Sequence, residues 1–242
     1  MKNRSDREVV LAAVSNHGCA LAAASKKLKN DREIVLAAVR TYRHALMYAS
    51  KKLKNDREVV LAAVRTSCYA LMYASEELKN DREVVLAAVP RGAVALMYAS
   101  EELKNDREFV HLAVARYGAV LKYASNEIKK DREVVLTAVK RNWFALMYAS
   151  GELRNDREIM LAAVTQNGTV LSFASEELRE DAFLKDWASL SLKGQRNRRA
   201  REAFLRKHSE RTAKLRAQVD LWLIRHGKVD EISAKRRRVC YV

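Results

Sequence analysis

Proline occurs once in the 242 residues and glycine only seven times. Strand-and-turn folds rely on those two residues for their reversals, so their scarcity excludes an all-β protein. Cysteine is also rare. Cys19, Cys68 and Cys240 are odd in number, far apart and without the spacing of a zinc site, so neither a disulfide framework nor a metal centre is implied. This usage points to a reducing intracellular compartment, the cytoplasm ahead of the nucleus or an organelle. No run of 18 apolar residues occurs, so no membrane span is expected, and Met1 to Ser5 is too short and polar for a secretory signal. The five histidines include no pair at i, i+4 around a carboxylate, and no other catalytic motif is present. The expectation is therefore a chain that is not an enzyme and takes no cofactor.

What is present is a helical composition: 49% hydrophobic and 31% charged residues, with a formal charge of +16 at pH 7. Self-similarity dominates the order of these residues. The phrase DREVVLAAV or a near copy begins at Asp6, Asp31, Asp56, Asp81, Asp106, Asp131 and Asp156, and a degenerate eighth start lies at Asp181. Residues 6–180 are thus seven gapless copies of 25 residues. A second phrase, roughly ALMYASEELKN, places Leu at 21, 46, 71, 96, 121, 146 and 171, and Ser at 25, 50, 75, 100, 125, 150 and 175.

Each copy reads as two short helical segments. Asn30, Asn55, Asn80, Asn105 and Asn155 stand three residues before a Glu, the spacing of a capping box, which starts the first helix at the Asp-Arg-Glu triplet. Its end falls near Asn16-His17-Gly18, Arg91-Gly92 or Asn167-Gly168, where a Gly or Asn is expected to form a left-handed C-cap. The second segment has apolar or small residues at Leu71, Ala74, Ser75 and Leu78, one buried stripe. Ser75 either extends that helix or caps a separate tight turn over Glu76 to Lys79, and the acidic pair beside it favours the separate turn. A 25-residue unit cannot close a core alone. Stacking is required, and alanines such as Ala37, Ala38, Ala62, Ala63, Ala87 and Ala88 permit close approach of neighbouring helices.

The phrases LKNDREVVLAAV and ALMYASEELKNDREVV resemble the short helical repeats of domain of unknown function 4116 (DUF4116), over residues 6 to about 190. The resemblance implies a helical array with an interaction role and implies no reaction. Local departures are His111 in place of Leu, Pro90 at the end of one first helix, and Gly151 in place of Glu or Lys. The expected fold class is all-α: a right-handed solenoid of seven two-helix units over 6–192, closed by Phe183, Leu184, Trp187, Leu190 and Leu192, followed by a basic amphipathic helical tail over 193–242.

Variation between copies marks the surface free to specialise. It concentrates between the two segments, where Arg40, Arg43, Arg65, Tyr69, Arg91, Arg116, Lys140, Arg141 and Trp143 interleave cations with aromatics, a pattern suited to phosphates and stacked bases. Ordinary solvated loop residues are the alternative reading. The tyrosines at 48, 73, 98, 123 and 148, with Phe173, and the methionines at 47, 72, 97 and 147 form ladders read as packing between repeats, with Lys122 and Ser172 showing that the methionine position tolerates exposure. His111 is read as a partly buried substitute for Leu.

The tail changes the charge distribution. Residues 193–242 hold 16 Lys+Arg and 5 Asp+Glu, a net of +11, which leaves +5 for the rest. Phe204, Leu205, Leu215, Val219, Trp222 and Leu223 give its Pro-free run an apolar stripe. Its basic candidates for a nucleic acid or other partner are Arg196, Arg198, Arg199, Arg201, Arg206, Lys207, Arg211, Lys235, Arg236, Arg237 and Arg238. Arginine outnumbers lysine in the tail by eleven to five, and its planar fork suits phosphates. The sequence therefore suggests protein partners for the repeats and RNA for the tail, as in an accessory component of a large ribonucleoprotein such as a ribosome. An acidic protein surface or an anionic membrane face is the alternative for the tail.

Overall fold

The computed structural model describes residues 6–192, with side chains to residue 189; the expectations for the tail, and for the side chains of Leu190 and Leu192, lie outside the described residues. Among the described residues every regular element is helical.

Each repeat begins with an α-helix of up to ten residues: Arg7–Asn16, Arg32–Thr41, Arg57–Thr66, Arg82–Ala88, Arg107–Arg116, Arg132–Arg141 and Arg157–Gln166. An eighth, Ala182–Leu192, follows the last repeat. The residue that caps each first helix is the aspartate, one position later than the capping-box spacing suggested. Asp81 Oδ1 accepts the backbone amides of Glu83 at 2.9 Å and Val84 at 3.0 Å, and Asp31, Asp56, Asp131 and Asp156 accept the corresponding pair. Aspartate answers two orphan N–H groups and puts a negative charge at the positive end of the helix dipole.

The helix ends also differ from the expected left-handed caps. His17, Tyr42, Ser67, Tyr117, Asn142 and Asn167 all end their helices in extended conformation. Gly92 alone among the described residues has a positive φ, of 152°. It follows Pro90, which ends the α-helix of repeat 4 at Ala88 and leaves a 3-10 turn over Val89–Arg91. Glycine serves elsewhere for close approach. A Cβ at Gly18, Gly118 or Gly168 would lie 2.2, 2.4 or 2.3 Å from the carbonyl oxygen of Ala38, Ala138 or Ala188 in the following repeat.

The second segment is mostly a tight 3-10 helix rather than an α-helix, as in Gly18–Ala23, Cys68–Tyr73, Gly118–Tyr123 and Trp143–Tyr148, and only Val94–Tyr98 is α-helical. It stops at an extended alanine, Ala74 in repeat 3. The next serine then caps a separate short helix, so each unit has three helical pieces rather than two. Ser50, Ser75, Ser100, Ser150 and Ser175 accept the amide of the leucine three residues on. The stripe of Leu71, Ala74 and Leu78 is buried as expected, although it crosses this break.

First helices of successive repeats pack side by side, and one core runs through them. Leu46, Leu71, Leu96, Leu121 and Leu146 are fully enclosed, as are Ala38, Ala88, Ala113 and Ala138. The terminal helix covers the last repeat through buried Leu184 and through Trp187, whose Nε1 donates to Thr165 Oγ1 at 3.1 Å. Phe183 stacks on Trp187 and lies under the Arg157 guanidinium.

Polar ladders tie each repeat to the next. The arginine of one Asp-Arg-Glu triplet reaches the aspartate of the following triplet: Arg7 to Asp31, Arg32 to Asp56, Arg57 to Asp81, Arg82 to Asp106, Arg107 to Asp131, Arg132 to Asp156 and Arg157 to Asp181. Most of these arginines also bridge to the glutamate two residues further on, as in Arg132 to Glu158 at 2.7 Å. Elsewhere, Ser50 Oγ donates to Asn30 Oδ1 at 2.6 Å and Ser100 Oγ to Asn80 Oδ1 at 2.6 Å. The Ser50, Ser75, Ser100, Ser125 and Ser150 amides donate to the carbonyl of the lysine 21 residues earlier. The asparagines assigned to caps by spacing are therefore links between repeats. A third set closes the far ends of the first helices: Thr41 Oγ1 donates to Val14 O at 2.9 Å, and Thr66 Oγ1 to Val39 O at 3.2 Å.

The ladder sets an acid limit. The Arg7 bond is the largest influence on Asp31 and holds its carboxyl below the usual range. At Asp81 partial burial opposes ionisation, but bonds from Arg57, Val84 and Glu83 outweigh it and the net shift is again downward. Asp56, Asp131, Asp156 and Asp181 follow the Asp81 pattern. A carboxyl depressed on folding adds stability that is fully present above its unfolded value, near 3.9, and is lost as pH falls through the lower folded value. Thermal scans should therefore show a steep loss of stability below about pH 4. Asp81→Ala should cost about 1–2 kcal/mol in urea unfolding at neutral pH, and Asp81→Asn, which still caps, clearly less.

The glycines give a second test. Gly118→Ala, which forces a methyl group onto the Ala138 carbonyl, should destabilise by about 1–3 kcal/mol. Gly151 stands at the start of a short helix with open space around it. Gly151→Ala should be neutral or stabilising by up to about 1 kcal/mol, both changes being read by urea unfolding.

Candidate interaction surface

The cations singled out in the sequence gather at one end of the first helices. Arg40, Arg65, Arg116, Lys140 and Arg141 occupy last turns, where a positive charge is favoured by the helix dipole. Arg91 ends the 3-10 turn of repeat 4, and Arg43 lies in the turn after Tyr42. Arg40, Arg43, Arg65, Arg91, Arg116 and Arg141 are exposed, whereas Lys140 is half-buried. Arg116 is already engaged, donating to Leu86 O at 3.1 Å across the repeat boundary.

The aromatic members of that set divide. Tyr69 is exposed, on the outer side of the second segment of repeat 3. Trp143 is half-buried against the core with its ring edge-on to Phe144, and its backbone amide donates to Gln166 Oε1 at 3.1 Å. Trp143 is thus held in place as a packing group. His111 is also structural: its ring Nε2 lies 3.0 Å from Thr137 Oγ1, so two departures from the repeat pattern, His for Leu and Thr for Ala, answer each other across one interface.

The tyrosine ladder at 48, 73, 98, 123 and 148 packs half-buried against the core, as read from the sequence, but Phe173 at its end is exposed, which corrects its reading as a packing group. Of the methionine ladder, Met147 is half-buried and the other three are not. Met47, Met72 and Met97 are each close to 40% exposed, which corrects their reading as packing groups. With Tyr69, Phe144 and Phe173 they form an exposed apolar edge along the second segments. His44 joins that edge, its ring 6.4 Å from Tyr69 and 6.3 Å from Tyr73. Lys122 and Ser172 at the methionine position were the signal of exposure, since neither suits a buried site.

Charge along the short third helices is graded. Lys51 and Lys52 stand exposed in repeat 2 where repeats 3 and 4 carry Glu76-Glu77 and Glu101-Glu102. Where the glutamates are present they pair: Glu76 with Lys79 at 2.7 Å and Glu101 with Lys104 at 2.8 Å. Lys54 forms no ion pair among the described residues, and burial pushes its ammonium below the ordinary lysine value. The polar ladder groups of the described residues thus recur along the stack and serve neighbouring repeats, while the outer edge combines a recurring methionine with a position that changes from His44 to Tyr69 to Phe144. No described helix is long and apolar enough to cross a membrane.

The sequence profile of domain of unknown function DUF4116 matches at residues 6–54, 56–89, 81–129, 106–154 and 131–179. Four of these matches begin at an Asp cap and run for two repeats, so the family's unit is a pair of the stacked units described above. No curated protein and no solved structure shows a significant match. With most of the described repeats covered, the chain belongs to the DUF4116 family.

Proposed function

We propose that this chain is a non-enzymatic interaction scaffold whose repeats bind protein and whose Arg-rich tail binds RNA, as an accessory component of a large ribonucleoprotein such as a ribosome. The observation that carries the scaffold reading is the division of labour within each repeat. Side chains that recur in every copy cap helices or join neighbours, whereas the outer edge sets exposed Met47, Met72 and Met97 beside a position that changes from copy to copy, His44, Tyr69 and Phe144 among its occupants. Exposed methionine and aromatic groups suit protein contacts, because they adapt in shape and bury large areas. An active site needs polar groups converging on a cleft, and groups repeated every 25 residues spread along a stack instead.

RNA rests on the tail, whose 16 cationic residues against 5 acidic ones account for +11 of the +16 charge. The helix-end cations of the repeats have a structural reason to be there, which weakens them as phosphate ligands and favours a second reading, a protein scaffold whose tail docks on an acidic protein or an anionic membrane. A salt titration of binding to single-stranded and duplex RNA separates the two. The observed affinity should fall log-linearly with salt, by about 0.7 per phosphate contacted on a single strand. Neutralising Lys235, Arg236, Arg237 and Arg238 to Gln should weaken binding and flatten that slope. No binding near physiological salt, or unchanged binding with residues 193–242 removed, would sink the RNA reading.

A further inference from the structure

We propose that the edge formed by the third helical pieces of repeats 1 and 2 docks an acidic, apolar-bearing peptide segment of a protein partner; this rests on the scaffold reading and names the chemistry of what those repeats bind. Lys26, Lys27, Lys51 and Lys52 are all exposed, and none of them forms an ion pair among the described residues. Repeats 3 and 4 carry Glu76, Glu77, Glu101 and Glu102 at the same positions. Those glutamates serve the fold. Glu76 and Glu101 receive Lys79 and Lys104, while Glu77 and Glu102 accept the side-chain amides of Asn55 and Asn80 in the preceding repeats, at 3.1 and 2.9 Å.

Lysine can accept none of these bonds. Lys51 and Lys52 also begin the short helix Lys51–Lys54, where a positive charge is disfavoured. The four lysines thus stand where the repeat itself favours glutamate, and their charge is left for a partner. Lys54 carries the consequence: it lacks the glutamate that Lys79 finds, and burial pushes its ammonium below the ordinary lysine value. A carboxylate docked beside Lys51 would supply that missing partner. The two rungs are held together, since the Ser50 amide donates to Lys29 O at 2.9 Å and its hydroxyl to Asn30 Oδ1 at 2.6 Å.

Apolar groups lie within reach of the same edge. Lys29 Nζ donates at 2.8 Å to the carbonyl of Ala22, which holds the methionine position of repeat 1, whereas Lys79 in the same register reaches Glu76. One lysine stem therefore spans from the methionine row to the first residue of the short helix. Exposed Met47 and Met72 accordingly neighbour the lysine row, so a partner that neutralises the ammonium groups can also cover the methionines with apolar side chains. A nucleic acid fits this edge poorly, because it turns acidic at Glu76 and would repel a continuous phosphate backbone there. The undescribed residues of this chain do not match it either: residues 1–5 hold Lys2 and Arg4 and no carboxylate, and residues 193–242 carry a net +11.

The test titrates the full chain against a short labelled peptide of glutamate interspersed with leucine and phenylalanine, read by fluorescence anisotropy at physiological salt. Lys26→Glu, Lys27→Glu, Lys51→Glu and Lys52→Glu together should weaken binding by about tenfold or more and leave the melting temperature unchanged or higher, since they reproduce the residues of repeats 3 and 4. If that chain melts lower than the parent, Lys51→Gln with Lys52→Gln decides by the same titration. Met47→Ser with Met72→Ser should also weaken binding. An oligouridine probe should lose less affinity than the peptide on the lysine exchange. No binding of the peptide, or binding indifferent to the lysines, would overturn the proposal, and an equal or larger loss for oligouridine would make the edge a nucleic-acid surface and overturn it too. Binding that ignores the lysines but is lost with the methionines would overturn the acidic chemistry while the scaffold reading stands.

Discussion

One aspartate per repeat carries two obligations at once. It terminates its own helix by accepting backbone amides, and it receives the arginine of the repeat before it. The second role depends on the first, because capping fixes the carboxylate in one orientation and leaves its other oxygen facing the neighbour. Asp81 shows this division plainly: Oδ1 accepts from Glu83 and Val84, and Oδ2 from Arg57. Exposed ion pairs contribute little singly. Here their value is in register, since a slip of one repeat against the next would break the bridge between them while leaving each cap intact.

The rest of the unit follows from the constraint that repeats meet at close range. Gly18, Gly118 and Gly168 clear space for a carbonyl of the following helix, and small alanines line the helix contacts. Serine and asparagine tie the opposite edge, and threonine satisfies carbonyls at the far helix ends. Each contact joins sequence neighbours, so stability accumulates repeat by repeat. The same economy leaves the Met and aromatic edge free of structural duties.

Much of this was legible in the sequence because repetition amplifies it. The 25-residue period, the buried leucines, the serine-capped turn and the closing role of Leu184 all follow from residue type and spacing. The helix start was located at the right triplet, yet the cap was given to Asn30 and its equivalents because the capping-box spacing also fits them. Only the packing of one repeat on the next shows those asparagines accepting from the following serine. The arginine bridges were likewise invisible, since residues 24 apart become neighbours only through the stack. The 3-10 form of the second segment was missed because its apolar spacing fits an α-helix equally well. The methionines were misread because an apolar ladder normally means burial. The candidate surface was thus half legible: Arg40, Arg43, Arg65, Tyr69 and Arg91 are exposed, whereas Trp143 packs against the core and Arg116 bonds to a neighbour.

The bridge between Arg132 and Asp156, with Nε 2.7 Å from Oδ2, is the best place to measure the coupling on which the stack depends. A double-mutant cycle of Arg132→Gln and Asp156→Asn keeps the helix cap and isolates the coupling of this pair, because the Arg132–Glu158 bridge is lost on both backgrounds and cancels. Urea unfolding at low salt should give a favourable coupling of about 0.2–1 kcal/mol that shrinks as salt is added. Additive effects of the two substitutions at low salt would contradict a role for the arginine ladder in joining the repeats.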